Sequence, residues 1–283
     1  MIYISTGGYS SLTASQVIKN LSQFKIDSFE LSGGKYSSNL EDELVYLSKK
    51  NNFIVHNYFP PPEKPFVINL GSLNENIFNL TFNHIKKSIR LASALKSPYY
   101  SFHAGFLVDP QVHELGKTVK KRNLFDREQV LNKFINALNL LSEYSEKYSV
   151  KLLIENNVLT KNNLTRFENN PLLMVDIKGT QEIFDIVNKN VGLLIDVAHL
   201  KVSARTLNFD PVEYLEKFNK YTFAYHLSDN DGLKDTNQSI SKNSWFWPYL
   251  RKDLDYYSLE LYNLSPEQIK SQFKLTKSFL NFK

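Results

Sequence analysis

Cysteine is absent from the 283 residues. That excludes a disulfide framework, a thiolate metal site and a cysteine nucleophile. No run of 18 apolar residues occurs, so no segment reads as a membrane span. The N-terminus, MIYISTGGYS, lacks the basic-then-apolar order of a secretory signal. These absences read together as a cytoplasmic protein. No GxGxxG follows the first apolar run, and SGG at 32–34 is a poor substitute, which weighs against an open dinucleotide-binding sheet. No Pro/Gly/Ser-rich linker and no compositional shift divides the chain, so one domain over residues 1–283 is expected. Net charge is +5, from 34 basic and 29 acidic residues. It is too modest to choose between an anionic small molecule and nucleic acid.

What the chain does have is alternation. Eight short apolar, β-branched or aromatic runs occur: IYIST (2–6), SFELS (28–32), FIVHNYF (53–59), YYSFHAG (99–105), KLLIENN (151–157), GLLIDVAH (192–199), FAYHLSD (223–229) and YSLELY (257–262). Helical patterns lie between them, at 12–24, 40–50, 76–95, 127–148, 180–190, 210–220 and 266–280. Several space their apolar residues at i, i+3, i+4, as an amphipathic helix does. Asp210-Pro211 and Ser265-Pro266 read as an N-cap followed by proline in the first turn. The stretch 243–250, NSWFWPYL, reads as a short helix interrupted at Pro248. Strands alternating with helices make right-handed βαβ units and a parallel sheet. Eight units in a chain of this size predict a single closed (β/α)₈ barrel, an α/β fold.

A barrel of this kind gathers its functional side chains at the carboxyl ends of its strands. Those ends carry Glu30, His56, His103, Glu155, Asp196 with His199 just beyond, His226 and Glu260. Only His84, on a helical pattern, and His113, in a polar loop, fall elsewhere among the six histidines; packing and solvation suffice to explain those two. A lone strand-end carboxylate such as Glu30 more commonly caps a loop or helix than binds an ion. The set is another matter. Asp196 ends the apolar run VGLLID, where an unpartnered carboxylate is costly to bury. Carboxylate, carboxylate, imidazole and carboxylate on four successive strands suit Mn²⁺, Mg²⁺, Co²⁺ or Zn²⁺, and the carboxylates would repel one another without a cation.

IEN at 154–156, DVAH at 196–199, HLSD at 226–229 and ELY at 260–262, with HNY at 56–58 and FHAG at 102–105, resemble the xylose isomerase-like barrel superfamily along essentially the whole chain. That group includes ketose 3-epimerases, hydroxypyruvate isomerases, inosose dehydratases and repair nucleases of the endonuclease IV type. The resemblance implies that Glu155, Asp196, His226 and Glu260 hold a divalent ion, and that Glu155 and Glu260 move the proton. It implies His56, His103, His199 and Asn157 as substrate contacts. In the nuclease branch His56 and His103, with Glu155, would instead hold a second ion. That branch also places Asp-x-His after the seventh strand, where this chain has Asp235-Thr236-Asn237. Asparagine is a poor zinc ligand, so nucleic acid is the less favoured partner.

The expected partner is thus a small sugar or sugar phosphate. The expected reaction is isomerisation or epimerisation, with an endonuclease IV-like phosphodiesterase and a non-catalytic sugar-binding barrel as alternatives. A membrane partner is not expected, and a homo-oligomer is compatible. Two loops bear on substrate. Residues 106–126 cluster Lys117, Lys120, Lys121 and Arg122, either as a phosphate site or as solvated surface. Trp245, Phe246 and Trp247 either stack on a sugar face or pack on the rim.

Overall fold

The computed structural model describes residues 1–281. Eight parallel strands, β1 (Ile2–Ser5), β2 (Ser28–Leu31), β3 (Asn52–His56), β4 (Tyr99–His103), β5 (Lys151–Glu155), β6 (Gly192–Asp196), β7 (Thr222–Leu227) and β8 (Tyr256–Leu259), close in chain order, with β8 pairing back onto β1. This is the (β/α)₈ barrel expected. Among the described residues the surrounding α-helices are α1 (Ala14–Ser22), α2 (Leu40–Leu47), α3 (Glu75–Ala94), α4 (Arg127–Glu146), α5 (Lys161–Phe167), α6 (Ile177–Phe184), α7 (Val197–Leu207), α8 (Pro211–Lys217) and α9 (Pro266–Phe279). None is long and apolar enough to cross a membrane.

Strand alternation sorts the side chains into two populations. Phe29, Val55, Phe102, Ile154, Ile195, Leu227 and Leu259 face outward into the large core shared with the helices. Residues of the opposite parity point into the barrel, where Tyr3, Ile54, Leu153, Leu194, Ala224 and Tyr256 form a separate buried plug. Two residues further along the same parity come the strand ends, and with them the polar cluster.

Helix starts follow local chemistry. Thr13 and Gln16 form a reciprocal capping box on α1, as do Ser265 and Gln268 on α9. Asp210 caps α8 ahead of Pro211, as its sequence predicts. Two helices escaped the pattern. The sixth apolar run ends as a strand at Asp196 rather than at 199, because α7 starts at Val197 without an intervening loop. The short α5 is too polar to show an apolar stripe. The segment 243–250 is a set of turns ending in a 3-10 turn at Trp247–Tyr249, not a helix.

Candidate functional site

Glu155, at the end of β5, sits at the centre of the barrel mouth and is fully buried. Its Oε2 lies 3.4 Å from His56 Nε2 and 3.3 Å from His103 Nδ1. Its Oε1 lies 3.3 Å from His199 Nδ1 and 3.4 Å from His226 Nδ1. Neither oxygen makes a hydrogen bond. Glu260, two residues past the inward-facing Ser258, brings Oε2 to 3.1 Å from His226 Nδ1 and accepts at Oε1 from the Tyr262 hydroxyl at 2.9 Å.

Asp196 divides its oxygens. Oδ1 accepts from the backbone N–H of Ala198 and of His199, both at 2.7 Å, and so caps α7. Oδ2 has no hydrogen-bond partner and faces His226 Nδ1 at 3.8 Å. Ligand atoms of Glu155, Asp196, His226 and Glu260 all lie within 4.8 Å of one another, and so do those of His56, His103 and Glu155. Those two groups share Glu155, and a third set, Glu30, His56 and His226, converges as closely.

The electrostatics are those of crowded buried carboxylates. Burial pushes Asp196 up to about 7, with Glu155 and Asp235 adding to the rise and His199 and His226 opposing it. Glu155 and Glu260 feel the same burial but are held down by imidazoles: Glu155 by His103, His226 and His56, and Glu260, at about 2, chiefly by His226. Burial disfavours charge on His199 and His226, yet carboxylates hold both well above the ordinary histidine value. Asp196 and Asp235 act on His199, Glu30 and Glu155 on His226. Protonated imidazoles thus supply the positive charge this pocket needs, and a divalent cation could supply it instead. Both oxygens of Glu155, the Oδ2 of Asp196 and the Nδ1 of His226 lack hydrogen-bond partners. The residues fit an ion of the oxygen/nitrogen-preferring class.

Not every other expected residue reaches the cluster. The Asn157 side chain donates to the carbonyls of Ala104 (2.8 Å), Gly105 (3.3 Å) and Leu173 (2.9 Å), tying β4, β5 and their loops together. His199 is at the mouth, with Nε2 3.1 Å from Asp235 and Nδ1 3.1 Å from the carbonyl of Asn156. In the 106–126 loop, Arg122 pairs with the buried Glu114 at 2.8 Å and Lys121 with Glu168 at 2.6 Å, while Lys117 and Lys120 are exposed. Phe246 and Trp247 are buried, and Trp247 stacks on Phe279 with ring centroids 4.5 Å apart, so this stretch packs the rim. His113 is exposed, and His84 is buried against Tyr58 and Phe66.

Sequence reasoning read Glu30 as a loop or helix cap, met Asp235 only within Asp235-Thr236-Asn237 and did not single out Tyr256. Glu30 caps nothing; it bonds His226 and Tyr256 beneath the mouth. The signal was parity: Tyr256, Ser258 and Glu260 alternate inward on one strand, as Ser28 and Glu30 do on another.

A family model described as xylose isomerase-like TIM barrel matches residues 18–274. The chain is 24% identical over 178 residues to an uncharacterised protein of Methanocaldococcus jannaschii, a match covering 62% of this chain and 53% of that one. It is 25% identical over 225 residues to a probable endonuclease 4 of Malacoplasma penetrans, covering 76% and 68% respectively. The archaeal match thus spans about half of that relative's length. Among solved structures, a D-tagatose 3-epimerase-like protein superposes with a TM-score of 0.74 at 21% identity, over 99% of this chain and 97% of that one. A D-psicose 3-epimerase from Clostridium cellulolyticum H10, solved with D-tagatose, gives 0.68 at 10% identity over 99% of both. These structural likenesses establish the fold.

Proposed function

The chain belongs to the xylose isomerase-like TIM barrel family, and on that premise we propose that it is a divalent-metal-dependent isomerase or epimerase of a sugar or sugar phosphate. The observation that carries this reading is the convergence of Glu155, Asp196, His226 and Glu260, with ligand atoms within 4.8 Å of one another in a buried mouth. These four residues would hold the ion. When bound, it polarises a carbonyl and the neighbouring hydroxyl as a Lewis acid.

The chain's own groups do the rest. One of Glu155 and Glu260 takes the proton from the carbon beside the carbonyl. The other returns a proton, to the opposite face in an epimerisation or by way of the adjacent carbon in an isomerisation. Against burial, Glu155 is held ionised by His103 and His226 and Glu260 by His226, which suits the role of base. The Tyr262 hydroxyl fixes the rotation of Glu260. His199 is fixed at the mouth with Nδ1 on the Asn156 carbonyl and Nε2 on Asp235, and a substrate hydroxyl would meet it by taking the place of Asp235 at Nε2.

The test is isotope exchange. With a panel of free and phosphorylated ketoses in D₂O, deuterium should enter beside the carbonyl. Glu260→Gln should keep the fold and lose turnover by about 10²–10⁴-fold, while His199→Ala should mainly raise KM. Exchange at the wild-type rate in the Glu155→Gln/Glu260→Gln double variant would rule out the paired-glutamate mechanism.

A phosphodiesterase acting on abasic DNA is the second reading, favoured by the His56, His103 and Glu155 group and by the probable endonuclease 4 relatives. Asn237, where that branch carries histidine, weakens it. Negligible incision of abasic DNA with Zn²⁺ or Mn²⁺ is expected. Robust incision that disappears in both His56→Ala and Glu260→Gln would put this reading first.

A further inference from the structure

Glu30 has no part in the proton transfer above, yet it is fully buried beneath the mouth. Its Oε2 accepts from His226 Nε2 at 2.7 Å and from the Tyr256 hydroxyl. Tyr256 is wedged edge-on to Tyr3, with ring centroids 5.6 Å apart, and stacked on Tyr99 at 5.9 Å, so packing aims its hydroxyl. A phenol has one proton. With that proton on Glu30, the Tyr256 oxygen can only accept from Ser101 Oγ, 3.3 Å away. Ser101, having donated, accepts from His56 Nδ1 at 2.9 Å.

Proton counting therefore gives the chain a direction. A long arm runs from the His56 Nδ1–H through Ser101 and Tyr256 to Glu30, and a short arm runs from the His226 Nε2–H to the same carboxylate. The nitrogen left facing the mouth is Nε2 on His56 and Nδ1 on His226, each 3.4 Å from Glu155. Which nitrogen of a histidine can ligate is set by the hydrogen bond the other one makes.

We infer that Glu30 is a positioning residue which, as terminal acceptor of both arms, selects the ligating nitrogen of His56 and of His226 and turns both toward Glu155. The two groups that meet at Glu155 thereby share one outer anchor. The inference rests on the metal reading of the site given above.

The experiment titrates metal-stripped protein with Co²⁺ and follows its visible absorption, with the thermal midpoint of the metal-free protein recorded alongside. Glu30→Gln removes the charge on which both arms end. It should weaken Co²⁺ binding by about 10–100-fold, the usual effect of losing an outer partner of a metal-bound histidine, and shift the absorption band. Tyr256→Phe breaks only the long arm and should cause a smaller loss with its own band shift. A purely structural Glu30 would move the midpoint and leave Co²⁺ affinity and spectrum as in wild type, which overturns the inference. If Glu30→Gln does not fold, Tyr256→Phe decides: wild-type affinity and spectrum in that variant overturn the inference equally. Wild-type protein that takes up no Co²⁺ sinks the metal reading and this inference together. Wild-type uptake with unaltered variants sinks this inference alone.

Discussion

At the scale of single residues, Asp196 has a separate task for each oxygen, and the two can be told apart by substitution. Asparagine keeps an acceptor for the α7 cap but replaces the carboxylate; alanine removes both. Asp196→Asn and Asp196→Ala are both expected to lose the bound ion by elemental analysis. Alanine should be the less stable of the two by about 1 kcal/mol in denaturant unfolding, the ordinary value of an N-cap. Equal stabilities would remove the capping role. The charge of Asp196 was legible in VGLLIDVAHL as a carboxylate closing a buried run. The cap was not, because α7 continues the apolar pattern without a turn residue to mark where strand becomes helix. His84 offers a test away from the mouth. Burial, reinforced by Lys87, pushes its imidazole down to about 4. A base kept neutral in the folded state contributes stability that is complete above its unfolded value near 6.5 and is lost as pH falls toward 4. Between pH 7 and 4.5 the wild type should therefore lose about 2 kcal/mol more than His84→Phe in urea unfolding. Parallel losses in the two proteins would refute the assignment.

At the scale of elements, β6 begins at Gly192 because neighbouring side chains fill the space a larger residue would need. A Cβ there would stand 2.6 Å from the Phe223 ring and 2.7 Å from Leu153 Cδ2. Gly192→Ala should cost about 1–3 kcal/mol, as overpacking does, measured as a lower denaturant midpoint with unchanged slope; an unchanged midpoint would mean that the ring and the leucine yield freely. Elements were readable where their periodicity was strong. All eight strands were found, and with them the residues that converge on Glu155, because a strand end fixes both depth and facing. Partners at a distance were not readable. That Arg122 answers Glu114 and Lys121 answers Glu168 depends on loop conformations that no spacing encodes. A cluster of four cations in the sequence is, in the fold, half paired. The aromatic stretch around Trp247 is similar: its composition allowed a sugar platform, and its contact with Phe279 on α9 decided for packing.

At the scale of the whole molecule, the mouth gathers Glu155, Asp196 and Glu260, with Glu30 beneath them, all buried, against four histidines. Any ion that binds there and not to the unfolded chain stabilises the fold by mass action, about 4 kcal/mol at a thousandfold excess over Kd. Loaded protein should thus unfold at distinctly higher urea than chelator-treated protein, and the Asp196→Ala protein should show no such difference; a loaded protein no more stable than the stripped one would argue against a bound ion. Below the mouth, Tyr3, Ile54, Leu153, Leu194, Ala224 and Tyr256 fill the interior, with Tyr99 and Phe223 packed against them. Among the described residues, this packing closes the lower end of the barrel. Arrival at the carboxylates and departure from them use the same doorway. In the proposed reaction a product that lingers at the rim would stand in the path of the next reactant, so whatever occupies the mouth would act on turnover as a rival and never as a bystander.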